Sequence, residues 1–90
     1  MKSIVSNDKV CFFCKDNFNL EKHHILHGTA NRQHSEDDGL WVYLCQKHHR
    51  FVHDHPQRLM DLKLCMVAQS KYEETHTREE FLKRYKRSWL

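Results

Sequence analysis

Two short ligand-type pairs, Cys11-x2-Cys14 and Cys45-x2-His48, constrain this chain more than any hydrophobic pattern in it. A spacing of two lets neighbouring side chains grip one tetrahedral ion, and three thiolates with one imidazole suit zinc in a closed site. The need for such a staple follows from size. Ninety residues, 39% of them hydrophobic, with a mean hydropathy of −0.86, make one small domain (residues 1–90) whose core is marginal on burial alone. Disulfides would need an oxidising compartment. The start of the chain lacks the apolar run of a secretion signal, so an intracellular, reducing setting is expected, in which cysteines beside histidines read as metal ligands. No segment approaches the roughly 20 apolar residues of a membrane span, so no membrane partner is expected. Cys65 has no ligand-spaced neighbour and reads as a small buried hydrophobe.

Along the chain, residues 1–10 read as a loose or edge-packed lead-in, and Cys11-Phe12-Phe13-Cys14 as a knuckle with both phenylalanines in the core. Residues 18–25 alternate as a strand, with Phe18 and Leu20 on one face. His27 to Gly39 is polar and spans two glycines; it reads as a long loop that contacts substrate. Residues 40–44 are apolar and aromatic and form a second strand, pairing with the first as a hairpin. From Cys45 the spacing changes to three and four residues (Cys45, His48, His49, His53), which is a short helix. Pro56 ends it and suits the first turn of the next helix. That helix runs to about Glu74, marked as amphipathic by Leu59, Leu62, Met66 and Val67 with Leu64 and Cys65 nearby. Thr77-Arg78-Glu79-Glu80 is a capping box that opens a last helix with Phe81, Leu82 and Tyr85 inward. Trp89 and Leu90 tuck back onto the core. The fold class is α+β: a hairpin-plus-helix core over 11–53 with a zinc knuckle, then two C-terminal helices over 56–90.

Of the eight histidines beyond the zinc ligand His48, four lie near one strand end and one helix: His23, His24, His49 and His53. As a group they are poor core residues, because each buried imidazole needs polar partners. His27, His34, His55 and His76 read as exposed polar residues. The net charge is +3 with histidines neutral and the isoelectric point about 8.7, a mild basicity that permits a polyanionic partner. Arg32, Lys47 and Arg50 are the phosphate-contact candidates nearest the histidines. Lys83, Arg84, Lys86 and Arg87 form a basic run that reads equally as a solvated helix face.

Cys-x2-Cys, then His-His-Ile after a short strand, then Leu-Cys-x2-His-His-x3-His resembles the HNH endonuclease family with its ββα-metal fold, most closely its small bacteriophage-encoded members. The match covers residues 11–53, about half the chain. The resemblance implies a metal-dependent endonuclease that hydrolyses DNA phosphodiester bonds and leaves a 5′-phosphate. It implies His24 as the general base, and His23, His49 and His53 as ligands of a catalytic divalent ion. Cys11, Cys14, Cys45 and His48 match the family's structural zinc site, with His48 where cysteine is usual. A largely imidazole shell suits Mn²⁺, Ni²⁺ or Zn²⁺ better than Mg²⁺.

The chain departs from the family at Gly39-Leu40, where an asparagine ordinarily orients the loop bearing the base. Asn31, Asp38 or a backbone group is expected in that role. Adjacent strand residues also point to opposite faces, so His23 and His24 share one site only if the backbone bends or the scissile group lies between them. The competing reading is a non-catalytic zinc-binding module that binds nucleic acid or a protein partner in phage recombination or packaging. The third is a purely structural zinc domain.

Overall fold

The computed structural model describes residues 2–90. Its elements run β1 (Leu20–His24), α1 (Thr29–Asp38), β2 (Trp41–Cys45), α2 (Gln46–Asp54), α3 (Leu59–Tyr72) and α4 (Arg78–Tyr85). This is a small α+β chain. β1 and β2 pair antiparallel with Leu20 opposite Cys45, Lys22 opposite Tyr43, His23 opposite Val42 and His24 opposite Trp41. Strand alternation therefore divides the hairpin into two faces. Glu21, His23, Val42 and Leu44 share the face toward α2, where Val42 and Leu44 are wholly buried. Leu20, Lys22, His24, Trp41, Tyr43 and Cys45 share the other. Asn19 has φ 51°, a left-handed residue that breaks the alternation just before β1. Phe18 is thereby turned out, 73% exposed, rather than facing inward beside Leu20.

Residues 27–39 are not the long loop that their polarity suggests, because residues 29–38 form α1. The helix lacks an apolar stripe because it meets the core through a hydroxyl: Ser35 is fully buried. The two glycines are its caps. Gly39 sits at φ 72°, and the chain closes the helix with Leu40 N–H donating to Ser35 O at 2.8 Å, the left-handed exit that favours glycine. Asp38 ties α1 to α4, accepting from Arg84 Nε at 2.5 Å and from the Tyr85 hydroxyl at 2.6 Å. The lead-in is edge-packed rather than loose: the buried Ser3 hydroxyl donates to Trp41 O, and Ile4 N–H donates to Gly39 O at 2.8 Å.

The C-terminal helices correct two further expectations. Pro56 lies in a turn, and α3 begins only at Leu59. Gln57 has φ 60° and its N–H donates to Asp61 Oδ2 at 2.7 Å, so the turn is closed by a side chain of the coming helix. The inward face of α3 consists of Asp61, Leu64, Cys65, Ala68, Gln69 and Tyr72. Leu59, 88% exposed, and Met66 face outward instead. Hydrophobicity misplaces the stripe because two of the buried residues, Asp61 and Gln69, are polar. Gln69 donates to Glu73 at 2.7 Å and Ser88 at 2.9 Å, and accepts from Trp89 N–H at 2.7 Å. This holds Trp89 against the core, while Leu90 is left largely exposed. In α4, Phe81 and Tyr85 are buried and Leu82 is not. Its capping box is present, with Thr77 Oγ1 accepting from Glu80 N–H at 3.1 Å and Thr77 N–H donating back to Glu80 Oε1 at 2.9 Å. Phe12 and Phe13 are partly buried against the core, and Cys65 is buried within it. No helix among the described residues is long and apolar enough to cross a membrane.

Gly39→Ala tests the α1–β2 corner. A Cβ there would lie 2.4 Å from Lys2 O, on a backbone with positive φ. The expected loss is about 1–3 kcal/mol of unfolding free energy, read by denaturant titration; a change below the error of that titration would contradict the corner's role.

Candidate metal centres

Cys45 ends β2 and caps α2, and His48 follows one turn into the helix. The knuckle is brought to them by Phe12 N–H donating to Tyr43 O at 2.9 Å, and is folded by Lys15 N–H to Cys11 O at 2.9 Å and Cys11 N–H to Asp16 O at 2.7 Å. Lys15 takes φ 67° to make that turn. Cys11, Cys14, Cys45 and His48 converge as a result. Cys14 Sγ and Cys45 Sγ are 3.8 Å apart, and His48 Nδ1 lies 3.5 Å from Cys11 Sγ and 3.2 Å from Cys45 Sγ. Sulfurs each about 2.3 Å from a shared tetrahedral ion lie about 3.8 Å apart. The donor set thus fits one metal ion, a closed shell of protein ligands. Burial alone would raise the Cys11 thiol, but backbone N–H groups of Cys14, Cys45 and Phe13 directed at its sulfur bring it down to about 6. Such a sulfur is readily held as thiolate.

On the other side of α2, His23 meets His49 and His53, with ring centres 5.1 and 5.6 Å away. One ligand atom from each of the three lies within 4.8 Å of the others. His49 Nε2 and His53 Nε2 are 3.1 Å apart, and His49 Nδ1 lies 2.8 Å from Glu21 Oε1. A carboxylate behind an imidazole is the arrangement that fixes the tautomer of a ligating histidine. His23 Nε2 is buried and makes no hydrogen bond to the described residues, a polar atom that a metal ion would satisfy. Burial, with His49, His27 and His53 close by, pushes the His23 imidazole down to about 3. It is a neutral donor at any ordinary pH. These three histidines fit an ion with room for non-protein ligands.

His24 lies on the opposite hairpin face, yet lines the same cleft as Lys22, His23, His27, Arg32, His49 and His53. The cleft therefore takes in side chains from both faces of β1 at its C-terminal end. His24 Nε2 is 2.8 Å from Glu36 Oε1, and Lys22 Nζ donates to the same carboxylate at 3.2 Å. Those two partners hold Glu36 down to about 2, so it stays an acceptor facing His24 Nε2. Ser35 clasps the backbone just past His24, donating to Leu26 O at 2.7 Å and accepting from Leu26 N–H at 3.2 Å. Ile25 N–H donates to Leu40 O at 3.1 Å. These groups, rather than Asn31 or Asp38, brace the His24 segment; Asp38 is engaged with α4.

Among the phosphate-contact candidates, only Arg32 lines the histidine cleft. Lys47 lies beside the cysteine cluster, and Arg50 is exposed on α2. His27 is more than a solvated side chain, since its ring centre is 6.1 Å from that of His23 and 6.2 Å from that of His53. Its Nε2 is 3.8 Å from Oδ1 of the fully buried Asp61. Burial would raise the Asp61 carboxyl, but His27 and the Gln57 N–H hold it low. His34 is half-buried against Tyr85, and His55 and His76 stack on Phe51 and Tyr72. Sequence reasoning passed over Glu21, Glu36, Ser35 and Asp61. The one available signal was Asp61, a carboxylate set within the largely apolar start of a helix.

Comparison with protein-family models, with curated proteins and with solved structures finds no match.

Two substitutions test the cysteine cluster and the clasp beside His24. Cys11→Ser removes one donor from a closed shell and is expected to cost several kcal/mol, since structural metal binding contributes on the order of 10 kcal/mol; unchanged thermal unfolding of the metal-loaded protein would refute a metal there. Ser35→Ala strips both backbone groups of Leu26 of their partner. We expect a loss of about 1–3 kcal/mol, measured by denaturant titration.

Proposed function

We propose that the chain is a metal-dependent endonuclease of the HNH type, with a ββα-metal core formed by β1, β2 and α2, and that it hydrolyses DNA phosphodiester bonds. The observation that carries this reading is His24. It is an imidazole at the cleft of a three-histidine cluster, held by a carboxylate at 2.8 Å. A purely structural metal domain has no use for that pairing. Zinc is the natural ion for the Cys11, Cys14, Cys45 and His48 shell, and there it holds the fold. A divalent ion on His23, His49 and His53, such as Mn²⁺, Ni²⁺, Zn²⁺ or Mg²⁺, would supply positive charge against the oxygens of the scissile phosphate.

The residues divide the remaining work. Glu36 keeps the His24 proton on Nε2, which leaves Nδ1 as the basic nitrogen that takes a proton from the attacking water. Ser35 and the Ile25–Leu40 hydrogen bond fix the backbone on which His24 rides. Glu21 orients His49 from behind. Arg32, in the same cleft, is the cation available to a neighbouring phosphate oxygen. Catalysis needs this order: the base is set by fixed neighbours before substrate arrives, so little reorganisation remains for the reaction itself.

A plasmid nicking assay across Mn²⁺, Ni²⁺, Mg²⁺ and Zn²⁺ tests the reading. The parent should cut with at least one ion, and His24→Ala should lower the rate by about 10²–10⁴-fold, the ordinary contribution of a general base. Glu36→Gln keeps the shape but frees the tautomer, and should cost about 10²-fold in kcat. Plasmid left intact with every ion, or His24→Ala cutting as fast as the parent, would refute nuclease activity.

A further inference from the structure

We propose that the outer face of the hairpin is the track along which one DNA strand approaches His24. The proposal rests on the nuclease reading and extends it from the reacting groups to the bound polymer. An open hollow of about 700 Å³ lies on this face, lined by Lys2, Asn7, Lys9, Lys22, Trp41 and Tyr43. The register explains why the hollow leads to the candidate base. Lys22, His24, Trp41 and Tyr43 all project from the same side of the sheet, Lys22 opposite Tyr43 and His24 opposite Trp41. Lys22 lines both the hollow and the histidine cleft, so the two are continuous.

The lining has the chemistry of a strand-binding surface: amines for phosphates, and an aromatic ring among them for a base or sugar. Tyr43 is the half-buried ring available for stacking, and it is itself held edge-on by Trp41 at 5.3 Å between centres. Lys22 is fixed rather than free. Its Nζ lies 4.2 Å from the Trp41 ring centre and shares Glu36 with His24. The lead-in is anchored too, by the Ser3 hydroxyl on Trp41 O, by Val5 and Ser6 N–H groups on Ser3 Oγ at 3.0 and 3.1 Å, and by Ile4 N–H on Gly39 O. That places Lys2 and Asn7 at the hollow through the backbone and leaves their side chains for a ligand. Arg32 stands in the cleft, so a strand passing His24 meets cations on the hollow side and in the cleft itself. Two residues of β1 advance about 6.6 Å, which places Lys22 and His24 within one nucleotide step of each other. A docked acidic protein would use the lysines but has no reason to need Tyr43 or the continuity with the cleft.

The test is DNA binding by zinc-loaded protein carrying His24→Ala to prevent cutting, read as fluorescence anisotropy of a labelled duplex and of the same sequence single-stranded. Lys2→Glu with Lys9→Glu should weaken binding about tenfold or more and reduce the slope of log Kd against log salt by about 2. Lys83→Glu with Lys86→Glu, a reversal of equal charge on α4, should leave both nearly unchanged. Tyr43→Ala should weaken single-strand binding more than duplex binding. An unchanged Kd for the Lys2/Lys9 pair, an equal loss for the Lys83/Lys86 pair, or no DNA binding by the His24→Ala protein at all would overturn the track. The two readings fail separately. Charge-dependent binding in a protein that cuts nothing with His24 intact removes the nuclease and keeps the track; cleavage with indifferent lysines removes the track alone.

Discussion

Everything in this chain hangs from the corner at Cys45, where β2 passes directly into α2. A strand running straight into a helix without a loop fixes the helix direction relative to the hairpin. The helix then distributes consecutive residues to opposite duties. His48 turns toward Cys11 and Cys45, and its neighbour His49 turns toward His23 and Glu21. Successive residues on a helix are separated by about 100°, so two clusters fed by adjacent histidines must sit on different sides of α2. The cysteine side is a closed, four-donor shell at the base of the corner; the histidine side has three donors and opens onto a cleft. In a domain this small, the first kind of site holds the corner that the second kind needs.

The second support is α1. It reaches the His24 segment two ways, Glu36 on the ring and Ser35 on the backbone beyond it, while Asp38 anchors the helix itself to α4. The resemblance to HNH nucleases raised the question of what replaces their supporting asparagine. On the nuclease reading proposed here, that role would be divided between the Glu36 carboxylate at the His24 ring and the Ser35 hydroxyl that holds the chain. The C-terminal helices matter by the same logic. α4 carries the partners of Asp38, and α3 puts a buried carboxylate, Asp61, behind the cleft at His27.

Much of this was legible in the sequence, and the limits have physical causes. Ligand spacing pointed to the cysteine cluster and set His49 and His53 one turn apart on a helix, whereas His23 joined them only through the resemblance. The hairpin and α2 followed from alternation and from the change of period at Cys45. Two features escaped because hydrophobic periodicity assumes that buried faces are apolar. α1 buries Ser35 and was mistaken for a loop, and α3 buries Asp61 and Gln69, so its exposed Leu59 and Met66 passed for the inner stripe. Phe18 was misdirected by one left-handed residue, Asn19, which no alternation pattern registers. The residues missed at the site, Glu21 and Glu36 among them, touch it only through pairing across the fold.

The central claim is that two sites of different character share one helix. Metal stoichiometry by native mass spectrometry tests it most directly, with protein loaded with zinc and then dialysed against Mn²⁺ or Ni²⁺. The account predicts two ions per chain: one zinc that survives dialysis, and one exchangeable ion that is lost in His49→Ala and His53→Ala while the zinc is kept. A single ion per chain, or a second ion indifferent to both substitutions, would contradict it.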